Sequence, residues 1–429
     1  MKKILSILLI AFQGILIISC RPGTHKGELL IWSSNNSQEI SYLSEKIEQW
    51  NSANPDRIIR SQPIPEGQSS EEIILASVVG GTTPGIYANM WQGNVEMYAQ
   101  AGVLIRLDTM PGFIETITER CSPEAIKEIT SADGHIYQVP WKVNPIMMLY
   151  NVKIFQEVGL EKFPRTYSEY MEAGRLIANK NNDGYYDRWI GYSSVQPIWY
   201  QRLFNFYPLY LAASNGASLI ENNRAVFNNH YAIQVFAFLQ DLYTKNYFSK
   251  QQMTASQDPF IMESVATLIT GPWQVPYLEK FKPPEMEYGF MPMMVPEDTD
   301  RPVYSYGDPK NIVIFNTCPD PLTAWEFLKT LISEDGDFDL LRVTGQFPRR
   351  RNISTNPVFE SYFNENPGLK PFAVQADYIK GVDNHPQIVE VFDIISQEYE
   401  ACVIYGRKTP EEAVKDAAGA VNVLLDGIK

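Results

Sequence analysis

Between Glu28 and Asp108 two hydrophobic periods alternate, and that alternation constrains the fold more than any other feature of the chain. Glu28-Leu-Leu-Ile-Trp32 reads as a buried strand that stops at Ser33-Ser34-Asn35-Asn36. The segment after it carries Ile40, Leu43, Ile47 and Trp50 on one helical face and ends before Asn54-Pro55. A second apolar-faced helix over residues 71–79 closes at Gly80-Gly81. Gly85-Ile-Tyr-Ala-Asn-Met90 then returns to strand, with Trp91 just past its end. Another helix and the pair Gly102 and Leu107-Asp108 complete the rhythm. Strand and helix taken in turn predict an α/β fold, a parallel or mixed sheet with helices on both faces.

Further along, Gly134 to Pro140 reads as a hairpin arm and Met147-Met-Leu-Tyr-Asn151 as a strand, after which the pattern restarts. Thr166-Tyr-Ser-Glu169 and Thr409-Pro-Glu-Glu412 are capping boxes, and Asp320-Pro321 opens a helix holding Trp325. A chain of 429 residues is long for one core, so two compact units are expected. Val265, Leu268 and Ile269 run at helical spacing into Gly271-Pro272, which cannot continue a helix, and Trp273 follows directly. Asn179, Asn181, Asp183 and Gly184 imitate the start of a calcium loop. Its twelfth position is Ile190 rather than a bidentate Glu, so the segment reads as a turn.

The first residues read as a sorting signal. Lys2-Lys3 precedes an apolar run from Ile4 to Ile18, too short for a comfortable membrane span, and Ser19-Cys20 stands where cleavage belongs. Ile17-Ile18-Ser19-Cys20 resembles a bacterial lipobox, in which Cys20 carries the lipid. The expected product is an exported chain, anchored to the outer face of a bacterial membrane at the cell surface or in the periplasm. Cys121, Cys318 and Cys402 are too few and too widely spaced to form a disulfide framework; one bridge or none is open. His25, His135, His230 and His385 show no ligand spacing, and no metal or cofactor is expected. A net charge of −14 leaves no basic surface for phosphates, which argues against nucleic acid.

No Gly-x-Ser-x-Gly elbow and no phosphate-cradling glycine loop occurs, so the sequence points to binding rather than catalysis. Trp91, Trp141, Trp199 and Trp273 all fall at element ends, accompanied by the neutral amides Asn144 and Asn205. Flat rings with amides suit uncharged polyhydroxyl compounds: the rings stack on apolar sugar faces and the amides take hydroxyls. Ser34 and Asn35, at a strand's carboxyl end, are placed where open α/β sheets meet ligand.

Several segments in series carry a family likeness. They are Gly134 to Pro140 before Leu149-Tyr-Asn151; Phe155 with Gly159-Leu160 and Pro164-Arg-Thr-Tyr; Gly271-Pro-Trp273; Gly307 before Ala324-Trp-Glu-Phe-Leu328; and Gly345 to Arg349. In that order and spacing the chain resembles the family-one extracellular solute-binding proteins, the sugar-binding lipoproteins of ABC importers. The resemblance implies a two-lobed, type II periplasmic-binding-protein-like fold with ligand in the cleft. After a signal at 1–19 and a tether at 20–27, lobe one would comprise 28–140 and 300–350, and lobe two 141–299 and 351–429. Trp273 would stack on the sugar, Trp91, Trp141 and Asn144 would line the cleft, and Asp308 and Arg349 would contact hydroxyls. A monomer closing on a mono- or oligosaccharide and docking on permease subunits follows from the resemblance. The alternatives are a secreted carbohydrate-active enzyme, a binder of a non-sugar solute, or an adhesive surface lipoprotein.

Overall fold

The computed structural model describes residues 29–65, 69–180, 183–251, 253 and 258–427. The signal and lipobox readings, Cys20 included, and Asn181 of the calcium-loop imitation lie outside them. Fifteen strands appear among the described residues: β1 Leu29–Ser33, β2 Ile59–Pro63, β3 Ile86–Trp91, β4 Val139–Val143, β5 Met147–Asn151, β6 Asn179–Lys180, β7 Tyr186–Tyr192, β8 Ile220–Glu221, β9 Arg224–Ala225, β10 Val265–Thr270, β11 Tyr288–Met291, β12 Ser305–Tyr306, β13 Lys310–Ile314, β14 Phe347–Pro348 and β15 Ile379–Lys380. Two mixed sheets organise them, one in the order β14-β4-β13-β3-β1-β2 and one in the order β11-β5-β10-β7-β6.

The inner strands of both sheets are buried on both faces, since side chains alternate along each strand and each face is covered, while the edge strands β2 and β6 are largely exposed. Ile31, Ile86 and Ile312 enter one core layer of the first sheet, while their neighbours Trp32, Tyr87 and Val313 enter the other. In the second sheet Met147 and Leu149 go to one layer and Met148 to the other. The alternation near the start of the chain therefore builds a sheet with helices on each side, as expected.

Two expectations are corrected here. Residues 265–270 form a central strand, antiparallel to β5 and parallel to β7, not the end of a helix. A strand covered on both faces needs no polar alternation, so apolar residues at helical spacing do not distinguish it from a helix. The expected division at 140 also cuts β4, all five residues of which belong to the first sheet, so the chain leaves that sheet after Val143.

The chain passes between the two sheets at residues 144–146 and again through 292–309, and after β14 it joins neither of them again. The two passages are laced together. Asn144 N–H donates to the Gly307 carbonyl at 2.7 Å, Ile146 N–H to Tyr306, and Gly307 N–H to Lys380. Parallel pairing of β12 with β15 adds a second tie. Beside them Asn384 donates to the carbonyls of Glu128 and Thr130, joining the loop after β15 to the helix Pro123–Ile129. Helix starts follow the sequence: Thr166 and Thr409 make reciprocal capping boxes, and Asp320 accepts from Thr323 N–H at the head of Pro321–Leu331. Cys121, Cys318 and Cys402 are free and buried.

Candidate functional site

The carboxyl ends of β1 and β4, the loop entering β14 and the start of β13 assemble a polar cluster. Asn36 caps the helix Ser37–Ala53 by accepting from Gln38 and Glu39 N–H, which brings Glu39 back beneath the end of β1. Ser34 Oγ donates to Glu39 Oε2 at 2.6 Å and Gln346 Nε2 donates to Oε1 at 2.6 Å. Lys142, 1% exposed, completes the arrangement with an ion pair to Glu39. Burial alone would raise the Glu39 carboxyl, but the Lys142 ammonium and the two hydrogen bonds outweigh it and hold the group below the usual carboxylate range. Burial pulls the Lys142 ammonium down, with Glu39 opposing. Asn35 lies exposed beside this cluster.

A second pair lies at the passage between lobes. Asp308 Oδ1 accepts from Tyr306 Oη at 3.2 Å and sits 3.3 Å from Lys310 Nζ. Its φ of +38° is a left-handed conformation rarely adopted by a non-glycine residue, held here between the hydrogen-bonded Gly307 and the first residue of β13. Two carboxylates and two ammonium groups leave the cluster balanced in charge.

Aromatic rings continue from the same point. Trp91 Nε1 donates to Tyr306 Oη at 2.9 Å, and its ring lies 5.0 Å from that of Trp199. Phe204 touches Tyr306 and Trp273 edge-on, each at 6.2 Å between centroids. Trp91, Trp199 and Trp273 are therefore linked into one set through Tyr306 and Phe204. Trp91 itself is 2% exposed and Trp273 is 44% exposed, so Trp273 presents the larger open surface. It stands between β10 and the helix Gln274–Phe281, folded over Gly271; a Cβ on Gly271 would lie 2.2 Å from the ring. Glycine and proline here end the strand and give the ring its seat.

Other expected site residues lie elsewhere. Trp141 is a β4 residue at 0% exposure, packed on Tyr42 in the first lobe's core, and offers no face to a cleft. Arg349 is paired with Glu128 at 2.8 Å and lines a separate cavity of about 270 Å³ with Gly216, Tyr304 and Lys380. Asn205 is 1% exposed and caps the helix Phe206–Ser214 while donating to Ser193 Oγ, a structural duty. Asn144, by contrast, stays near the cluster: it is 6% exposed and its N–H donates to the carbonyl of Gly307, the residue before Asp308. The sequence reading missed Phe204, Tyr306, Glu39 and Lys142. Only Phe204 left a signal, in the aromatic run from Trp199 to Leu211.

Among the described residues no group of three or more His, Cys, Asp or Glu side chains could hold a metal ion. What remains is a half-open indole joined through Phe204 and Tyr306 to hydroxyl and balanced ion-pair groups, an arrangement suited to an uncharged solute with both flat apolar and hydroxylated faces.

Comparison with known proteins bears on the family and the fold. Residues 47–370 match the family described as bacterial extracellular solute-binding protein. The chain is 23% identical over 417 residues to the arabinooligosaccharide-binding protein of Halalkalibacterium halodurans, covering 91% of this chain and 88% of that one. A crystal structure of an uncharacterised protein from Listeria monocytogenes superposes with a TM-score of 0.82 at 25% identity, over 93% of this chain and all of that one. The cyclic α-maltosyl-1,6-maltose binding protein of Arthrobacter globiformis gives 0.78 at 21% identity, over 93% and 99%.

Proposed function

Because the chain belongs to the bacterial extracellular solute-binding family, we propose that it captures a carbohydrate between its lobes and delivers it to the membrane permease of an ABC importer. The observation that carries the reading is the Trp273 ring, 44% exposed and joined through Phe204 and Tyr306 to the Asp308–Lys310 pair. A sugar stacks an apolar face on the indole and offers hydroxyls to the polar cluster, where Ser34, Asn35, Asn144 and Asp308 take them. Balanced charge favours a neutral sugar over an acidic one. The names of the relatives, an arabinooligosaccharide binder and a cyclic maltosyl-maltose binder, support the same class.

Binding acts by hinge closure about the laced passages between the sheets. Moving the closed state from 1% to 99% populated takes about 5.5 kcal/mol of differential affinity, which the sugar contributes by touching both lobes at once. The test is intrinsic tryptophan fluorescence titrated with a panel of neutral mono- and oligosaccharides. A saturable change with at least one member is expected, and a flat response to all of them would sink the carbohydrate reading. Hydrolysis of a bound oligosaccharide would instead favour an enzyme.

The lipobox-like Ile17 to Cys20 supports export and anchoring at the outer face of the membrane. Cys20→Ala is expected to move the protein from the membrane fraction to the soluble one. Continued membrane retention would remove the lipid anchor from the account.

A further inference from the structure

We propose that the chain holds a second small-molecule site, in an apolar cavity beside the second passage between the sheets, and that its ligand is a free monocarboxylate with an apolar body. The inference stands apart from the carbohydrate reading. The cavity measures about 540 Å³, within the ordinary range of small-ligand pockets. It is lined by residues 290–303 of β11 and the passage, by 163–165 ahead of the helix Tyr167–Ile177, and by 371–378 in and after the helix Lys370–Gln375. None of Trp273, Ser34, Asn35, Asn144 and Asp308 is among the lining residues.

The floor of the cavity is core: Phe163, Phe290, Met293 and Val295 are all buried. Pro164, Pro292, Pro302 and Pro371 also line it, and proline brings no backbone N–H, so an apolar ligand against them strands no donor. Hydrogen bonds hold the passage in place on two sides. Val295 N–H donates to the Arg165 carbonyl at 3.0 Å and Tyr167 N–H to the Val295 carbonyl at 2.9 Å. Gln375 Nε2 donates to the carbonyls of Val303 at 2.8 Å and Tyr378 at 3.0 Å. The passage cannot fall into the cavity without breaking these ties. The charged residues that line it are of one sign, Arg165 and Arg301, both exposed at its mouth. Glu297, Asp298 and Asp300 of the same turn do not line it, although Asp298 pairs with Arg165 at 3.1 Å. Arg301 Nε donates to Thr299 Oγ1 at 3.3 Å, and its guanidinium has no acidic partner among the described residues. A free guanidinium fork at the mouth of an apolar cavity fits a carboxylate head with its body turned inward.

Calorimetry on the full chain at neutral pH tests this with sodium octanoate and with octan-1-ol, which has the same body without the charge. Saturable one-to-one binding of octanoate is expected, with octan-1-ol about fivefold weaker, the upper scale of an exposed ion pair. Arg301→Gln should leave octan-1-ol unchanged and bring octanoate down to it. Val374→Trp, at a lining position that is 51% exposed, should fill the cavity and abolish binding of both. Both substituted positions are exposed, so melting curves should match the wild type and show that the fold is intact. Octan-1-ol as tight as octanoate in the wild type assigns the cavity to neutral apolar molecules and overturns the proposal. Octanoate binding that survives Val374→Trp places the ligand elsewhere and overturns it too. Silence of both probes leaves the cavity to a protein partner or to none, and overturns the second site without touching sugar capture.

Discussion

Trp141 and Trp273 stand near the ends of two strands, β4 in the first lobe and β10 in the second, yet one is 0% exposed and the other 44%. The difference is position along the strand: Trp141 lies two residues before the end of β4 and Trp273 three residues past the end of β10. Trp141 lies inside its strand, so its side chain must enter one of the two covered faces, and it enters the layer beneath Tyr42. Trp273 lies beyond Gly271-Pro272, where the ladder has ended and the next helix has not begun. A tryptophan within a doubly covered strand is core, and one past a glycine-proline break is free to become surface.

Trp141→Ala should be the more damaging change, because it opens a void where nothing can collapse to fill it. A loss of about 3–5 kcal/mol in urea or thermal unfolding is expected, the range for large aromatic truncations in cores. A loss below about 1 kcal/mol would break the comparison, since Trp141 would then not be supporting the lobe.

Next to it, Glu39→Gln leaves the Lys142 ammonium buried without its carboxylate, and a loss of about 3 kcal/mol at neutral pH is expected for breaking such a pair. The sign with pH follows from the depressed Glu39 carboxyl. Its contribution is fully present above the unfolded value near 4.5 and is lost as pH falls through the lower folded value. Unfolding curves of wild type and variant should therefore converge in acid; a gap that stays constant from pH 7 to pH 3 would rule out the ionic pair as its source.

Trp273→Ala should leave melting unchanged and weaken sugar binding by about 1–3 kcal/mol in calorimetry. Unchanged affinity would take Trp273 out of the site. The smallest effect belongs to Gly271→Ala, whose new methyl would meet the indole at 2.2 Å and push it off its seat. A binding loss of about 1 kcal/mol, smaller than that of Trp273→Ala, is expected on the scale of single interface contacts. Full wild-type affinity would show that the ring has other seats.

Much of the fold was legible because its signals are local. The capping boxes at Thr166 and Thr409 name their helices without reference to the rest of the chain, and β5 spans the five residues its apolar run indicates. β10 was misread because burial on both faces erases the period that distinguishes strand from helix. Aromatic residues at element ends mark a connected set of rings, Trp91, Trp199 and Trp273, of which Trp91 is buried and Trp273 presents the open face. The site was not legible where partners meet only through the fold: Glu39 and Lys142 are 103 positions apart and announce nothing in sequence. Trp141 shows the limit of the element-end argument, since a boundary misplaced by three residues turns core into apparent cleft.

The three thiols within the folded lobes carry a consequence of a different kind. Burial pushes Cys318 up to about 11 and Cys402 up to about 12, and it raises Cys121 as well, so at neutral pH almost none of this sulfur is thiolate. Oxidants and mixed disulfides attack or accept thiolate. In a member of an extracellular solute-binding family, these cysteines are kept unreactive by the cores that surround them. Among the described residues the lobes are therefore held by packing, hydrogen bonds and buried ion pairs, with no disulfide between these cysteines.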